Sequence, residues 1–516
     1  MFSPKWSMSV YSKARISGLA GWGMALVLLA LGLGLRLFDL TDQPLDFHPT
    51  RQLRGAIIAR GIYYEKLPSA DPALRETASE HRYSTGQYEP PLLEHLAAYT
   101  YLLLGGEVLW VARLYSSLFW LFGGLALLAL AHWMAGGVST GGLRRAALVA
   151  LGYYLVLPFA VQASRSFQPD PLMTMWLVLT AYCLYRWSLS LTRLWAILAG
   201  VSGGLAILTK AVAVYMVGGA ALGAILFTLG VRKAWRSPQA WGMAVLMVAP
   251  SASYYLVQNQ SRAAEYLTTW TVSLSHLLLE PGFYVRWLSF VQNLVGLTAL
   301  LLSLVGALLA EPRSRALLLG MWVGYAVYGL TLPYQMYTHN YYHLPLVPLI
   351  SLSLVPLAAV VIERLRGQAP GWRLLLAGIA LVWVIYPAWV SVVDAAREDH
   401  RNEPAYWNEI ASQLPGEGKI LALTQDYGYR LMYYGWRKVS VWPTRGEQEL
   451  SALRGSPKEF EAFFSKRTQG YQYFLITAFG QLADQPELER ALEERFPLLA
   501  EGDGYLVYDL AHPLSQ

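Results

Sequence analysis

Several short stretches of this chain carry side chains fit for chemistry. The first, "DLTDQPLDFHPTRQ", sets Asp39, Asp42 and Asp46 ahead of His48 and Arg51, with Pro44 and Pro49 fixing the chain direction around Asp46. A carboxylate so placed can take the proton of an attacking hydroxyl, and an arginine beside it can meet an anion. The second, "SRSFQPDP", puts Arg165 shortly before Asp170. The third is Lys210, a lone charge in "LAILTKAVAVYM", a point charge suited to a phosphate. "YTHNYYH" offers His339, Tyr341, Tyr342 and His343 as substrate contacts, and "QYEPP" adds Glu89. His339 and His343 also have the i, i+4 spacing of two metal ligands on a helix, without a carboxylate between them.

Each group has a plainer reading. In "RQLRGAIIARGIYY", Leu53, Ile57, Ile58 and Ile62 share one face, so Arg54 and Arg60 read as solvated arginines of an amphipathic helix lying in a membrane interface. Arg165 and Asp170 read as a salt bridge closing a turn, Lys210 as a snorkelling side chain, and Glu89 as an ordinary loop acid. Asp46, between two prolines, is explained less well this way. Ionisable groups at a membrane boundary are costly unless used or paired, which makes function the default for Arg165 and Asp170.

The elements that must position these groups are membrane spans. The 516 residues are 55% hydrophobic and 14% charged, against roughly 25% charged in a soluble domain. Apolar runs long enough for a bilayer lie near 18–38, 113–134, 145–163, 171–190, 195–209, 211–230, 238–257, 287–310, 315–333, 343–362 and 373–393, about eleven spans. The first lacks a small-residue cleavage site and is too long for a signal peptide. Lys5, Lys13, Arg15 and the arginine-bearing loops that alternate after them fall on one side, which predicts a cytoplasmic N-terminus and an outer C-terminus. Residues 1–393 carry 27 Lys and Arg against 15 Asp and Glu, whereas residues 394–516 carry 13 against 19. The basic charge therefore sets topology, and a nucleic-acid partner is not implied. One cysteine, Cys183, excludes an internal disulfide framework and reads as packing.

The expected organisation is a transmembrane domain over 1–393, with an outer loop at 39–112 bearing interfacial helices, and an extracytoplasmic α/β domain over 394–516. "KILALT", "YQYFLIT" and "GYLVYDL" read as strands there, and "SPKEFEAFFSKR" and "DQPELERALEERF" as helices. The aromatics of "QDYGYRLMYYGWRK" read either as a sugar-stacking surface or as domain core.

In order, the acidic first loop, "YEPPLLEHL", "RLYSSLFWLFGG", "SRSFQPDPLMTMW" and "LAGVSGGLAILTK" resemble the GT-C fold glycosyltransferases. The likeness is to the polyprenyl-phosphate-mannose protein mannosyltransferase group (glycosyltransferase family 39-like), which includes the lipid A aminoarabinose transferases. The motifs cover roughly residues 30–230. The resemblance implies an inverting sugar transfer from a polyprenyl-phosphate-linked donor to a protein, lipid or glycan acceptor outside the cytoplasm, by an enzyme of the plasma (inner) membrane surrounded by membrane lipids. It makes Asp46 the catalytic carboxylate and Asp170 the second acid. It sets Lys210 and Arg51 at positions expected near the donor phosphate; Arg165 is a further candidate cation there, and His48 and Glu89 are candidate substrate contacts. Many members have Asp-Glu where this chain has Asp46-Phe47, which removes one acid able to bind metal or acceptor. The cofactor is open, with a divalent cation as candidate. Two other classes compete: a flippase of polyprenyl-linked sugars, and a non-catalytic scaffold with an outer binding domain.

Overall fold

The computed structural model of the chain describes residues 7–514 except 87, 137–142, 259–264, 267, 457 and 458, with no side-chain description before Ala20. Lys5, Gln87, Pro457 and Lys458 of the segments quoted above lie outside the described residues, as do the side chains of Lys13 and Arg15. The chain forms two compact units. The first comprises residues to Leu40, Tyr88–Leu92 and Arg113–Arg397; the second comprises Thr41–Gln87, Leu93–Ala112 and Glu398–Gln516. Most of the segment 39–112 groups with residues 398–516 rather than with the helices.

The first unit is helical. Its helices include α1 (Ser7–Leu37) and, after the second unit's α2 (Pro49–Lys66), α3 (Pro72–Ser84) and α4 (Leu92–Leu104), the run α5 (Trp110–Met134), α6 (Arg145–Val156), α7 (Pro158–Ser164), α8 (Asp170–Ser190), α9 (Arg193–Thr209), α10 (Ala213–Trp235) and α11 (Pro238–Ala252). Further helices follow at Pro281–Val295, Leu297–Leu309, Pro312–Thr331, Leu346–Arg366 and Pro370–Arg397. Among the described residues, six helices are long and apolar enough to cross a membrane, or up to eight if each of two bent pairs counts as one span. Every expected span falls on helix. Two are not the straight rods expected: 145–163 bends by 61° and 287–310 by 96°.

Both bends have local causes. Gly296, at φ +81°, ends one helix and starts the next. At the other, Pro158 has no N–H to give Tyr154 its helical hydrogen bond. The indole of Trp120 donates to the Tyr154 carbonyl instead, at 3.2 Å. Arg36 of α1 donates to the Leu155 carbonyl at 3.0 Å and to the Ser164 hydroxyl at 2.6 Å. A buried arginine thus closes the broken helix. Elsewhere, α10 crosses Pro312–Thr331 backbone to backbone. A Cβ on Gly219 would strike the carbonyl of Gly320, and one on Gly320 that of Gly219.

The second unit holds a five-stranded sheet in the order β2-β1-β3-β5-β4, with β1 at Ile420–Leu423, β2 at Val439–Val441, β3 at Tyr473–Ile476, β4 at Leu498–Gly502 and β5 at Tyr505–Asp509. β1 pairs in parallel with β2 and β3, while β5 runs antiparallel to β3 and β4. Asp503 and Gly504, the latter at φ +81°, make the two-residue turn of the β4–β5 hairpin. Leu421, Leu423, Trp442, Phe464, Phe474, Ile476, Leu488 and Leu492 form the core.

In helix α2 the reading of Arg54 and Arg60 as solvated does not hold. The helix is buried on both faces from Gln52 to Tyr63, its arginines included. Arg60 donates to Glu107 at 2.8 Å and to the Tyr433 carbonyl at 2.6 Å. Its guanidinium lies 3.8 Å from the ring centre of Tyr433 and 4.2 Å from that of Trp436. Arg54 donates to the Gly86 carbonyl at 2.9 Å. Among the C-terminal aromatics, Tyr433 and Tyr434 are buried and Tyr427 is exposed.

Candidate active site

In the second unit, the chain from Thr41 to Gln52 forms a lip ahead of α2. His48 takes φ +47° before Pro49, a left-handed residue that ends the irregular path and lets the helix start. Its carbonyl accepts the amides of Arg51 at 2.9 Å and Gln52 at 3.3 Å. Gln52, fully buried, reaches back with its amide to Asp46 Oδ1 at 3.2 Å and to the Phe47 carbonyl at 2.8 Å. Asp46, His48 and Arg51 are half-buried on this one turn. A carboxylate just before a helix N-terminus, oriented by a buried amide, is well placed to accept a proton from an attacking group.

In the first unit, Asp170 begins α8 behind Pro169, and Lys210 ends α9 in an extended conformation. Lys210 Nζ donates to Asp170 Oδ1 at 2.8 Å, with Asp170 2% and Lys210 4% exposed. The other carboxylate oxygen, Oδ2, is buried without a hydrogen-bond partner among the described residues. The ammonium also sits 4.7 Å from the ring centres of both Tyr341 and Tyr342, and the Tyr342 hydroxyl meets that of Tyr266 at 2.7 Å. Four expected residues, Asp170, Lys210, Tyr341 and Tyr342, therefore converge.

Other expected residues are engaged differently. The turn-closing pair of Arg165 with Asp170 is not formed, because Lys210 is the partner of Asp170. Arg165 donates to the Asp39 carbonyl at 2.9 Å, and its own carbonyl accepts from Arg113, which also reaches the Leu40 carbonyl at 3.2 Å. His343 is fully buried, with Nδ1 2.7 Å from the Tyr325 hydroxyl and Nε2 3.0 Å from the Met336 carbonyl. Both its ring nitrogens are taken, so it does not form a ligand pair with His339. His339 is half-buried against Thr338, and Glu89 is half-buried with Tyr255 in its electrostatic neighbourhood.

Among the described residues, no three His, Cys, Asp or Glu side chains converge in a way that could hold a metal. The donor set around Asp170, one carboxylate already neutralised by an ammonium, does not fit a divalent cation. Gln52 closes the "HPTRQ" segment and Arg113 opens "RLYSSLFWLFGG", but the sequence singles out neither for a role, because motif membership does not say what a side chain touches.

A helical membrane unit with these buried charges, joined to a small α/β unit, has the GT-C type of architecture. Residues 88–255 match the family described as dolichyl-phosphate-mannose-protein mannosyltransferase. ArnT from Cupriavidus metallidurans in the apo state is similar at TM-score 0.55 and 16% identity, over 95% of this chain and 98% of that one. The same protein bound to undecaprenyl phosphate gives TM-score 0.54 at 16% identity, with the same coverage. AglB from Archaeoglobus fulgidus, in complex with an inhibitory peptide and a dolichol-phosphate, gives 0.57 at 13% identity, over 95% and 74%. Among curated protein sequences none matches. The chain has the GT-C glycosyltransferase fold.

Proposed function

We propose that the protein is an inverting, polyprenyl-phosphate-sugar-dependent glycosyltransferase of the plasma (inner) membrane, acting on an extracytoplasmic protein, lipid or glycan. The observation that carries this reading is Lys210, a cation buried between Asp170 and two tyrosine rings, in a fold that ArnT shares when bound to undecaprenyl phosphate. The likeness to family members over 88–255 supports it further. The positive-charge bias supports a cytoplasmic N-terminus, an outer C-terminal region and about eleven spans.

In this reading the acceptor hydroxyl or amine attacks the anomeric carbon from the face opposite the phosphate. The new bond forms as the bond from that carbon to the phosphate oxygen breaks, and the acceptor's proton passes to Asp46. Lys210 meets the charge that grows on the departing polyprenyl phosphate, with Arg51 and Arg165 as further cations of the site. Asp170 holds and aims Lys210. Tyr341, Tyr342, His339 and Glu89 of the first unit and His48 of the second are the proposed sugar or acceptor contacts, whereas His343 is not kept among them because both its ring nitrogens are taken. No step is assigned to a metal ion.

The test is release of polyprenyl phosphate from a panel of synthetic polyprenyl-phosphate sugars, with donor binding measured alongside. Wild type should turn over at least one donor. Asp46→Asn should bind it normally and transfer about 10²–10⁴-fold more slowly, the usual weight of a positioned general base. Lys210→Ala should weaken donor binding. Full activity in Asp46→Asn would remove that residue from the role. Movement of labelled lipid between leaflets without product would point to a flippase instead.

A further inference from the structure

The lip that carries Asp46 is tied on both sides of that residue to the C-terminal region of its own unit. Ahead of it, both carboxylate oxygens of Asp42 accept the backbone amide of His400, at 3.0 and 3.2 Å. Next to it, Gln43 accepts the hydroxyl of Tyr434 at 3.0 Å. Beyond it, the hydroxyl of Thr50 donates to Asp426 at 2.9 Å. Thr50 lies in the first turn of α2, between the left-handed His48 and the Gln52 that holds Asp46.

The residue that takes Thr50 is itself unusually fixed. Asp426 and Tyr427 adopt φ +52° and +56°, followed by Gly428 at +75°. Two non-glycine residues in the left-handed region persist only where surrounding contacts determine them. Arg430 supplies such contacts, bridging Asp426 at 2.6 Å and Glu403 at 2.9 Å. This reversal follows β1 directly, so the parallel centre of the sheet fixes where the Asp426 carboxylate stands.

We propose that the C-terminal α/β region is the positioning element of the Asp46 lip, acting through Asp426, Tyr434 and the His400 amide. The inference rests on the reading of Asp46 as the proton acceptor. Thr50, Asp426 and Tyr434 touch no substrate in it. They act by fixing the turn from which Gln52 aims the carboxylate, so their loss falls on kcat and leaves donor affinity alone.

The experiment compares Thr50→Val, Thr50→Ser, Asp426→Ala and the double variant Thr50→Val/Asp426→Ala in the full-length protein. Readouts are kcat, donor affinity, and hydrogen exchange of the lip and sheet amides. Thr50→Val should lower kcat about tenfold, the weight of one hydrogen bond to a charged group. Donor affinity should stay within twofold, and exchange over residues 42–52 should quicken while β1 and β3 keep their protection. Thr50→Ser, which keeps the hydroxyl, should restore both. The double variant should be no slower than Asp426→Ala alone. Unchanged lip exchange in Thr50→Val overturns the proposal, as does faster exchange with kcat intact. Wild-type protein that turns over no donor would sink the transferase reading instead, and lip exchange would still report whether the hold exists.

Discussion

Lys210 and Asp170 show what a buried ion pair asks of its surroundings. Removing an ammonium and a carboxylate from water costs several kcal/mol each, and mutual attraction offsets this only with good geometry. A 2.8 Å contact and two tyrosine faces supply that geometry here. Replacing one partner, as in Asp170→Leu, leaves an uncompensated charge and should lower stability by about 3–5 kcal/mol. The double variant Asp170→Leu/Lys210→Met should recover much of that loss while remaining inactive; thermal unfolding in detergent reads the first and sugar transfer the second. Sequence spacing pointed to Arg165 as the partner of Asp170 because it is near in the chain. The actual partner is 40 residues away. What brings it there is the packing of α8 on α9, which no local pattern encodes. Asp46 and Lys210 were legible as charges in apolar surroundings. Gln52 was not, because a buried amide reads like any polar residue until its two acceptors are located.

At the scale of elements, apolar runs located the helices of the first unit well, since a bilayer-length run has few alternatives. Neither bend, at Gly296 or at Pro158, is read from the sequence, because both lie inside long apolar runs. β1, β3 and β5 showed themselves as β-branched and aromatic runs. β2 has three residues, and β4 carries an exposed "LLAEG" without alternation, so neither had a signal to find. Helix α2 misled because its apolar stripe was correct and its other face is buried too, against residues near 433–436. The close crossing of α10 with Pro312–Thr331 leaves no room for a side chain, so Gly320→Leu should force the helices apart and reduce the yield of folded protein, as size-exclusion chromatography would show. In α3, His81 is buried beside Trp436, and burial with the nearby Arg60 charge pushes its pKa down to about 4. The folded state thus prefers neutral His81, whereas the unfolded chain protonates near the ordinary value of about 6.5. Stability should be fully present above that value and decline as pH falls toward 4; His81→Gln should flatten this slope in pH-dependent thermal unfolding.

For the whole molecule, the sequence's charge map makes a topological prediction that the fold alone does not. If the orientation proposed above holds, a Leu514→Cys variant in a Cys183→Ser background should react with a membrane-impermeant maleimide added from outside, because residue 514 is exposed. Labelling only after the membrane is opened would reverse the orientation. The ties on the lip have a further consequence, in time rather than in space. Residues 42–50 leave the ribosome early, yet their partners lie 358 to 391 positions later. Contacts so distant in sequence close last. The helices between can therefore be made while the lip is still loose, and a chain broken off before about residue 434 lacks the Tyr434 tie. If Asp46 is the proton acceptor proposed above, the order of synthesis delays that role until these distant partners exist.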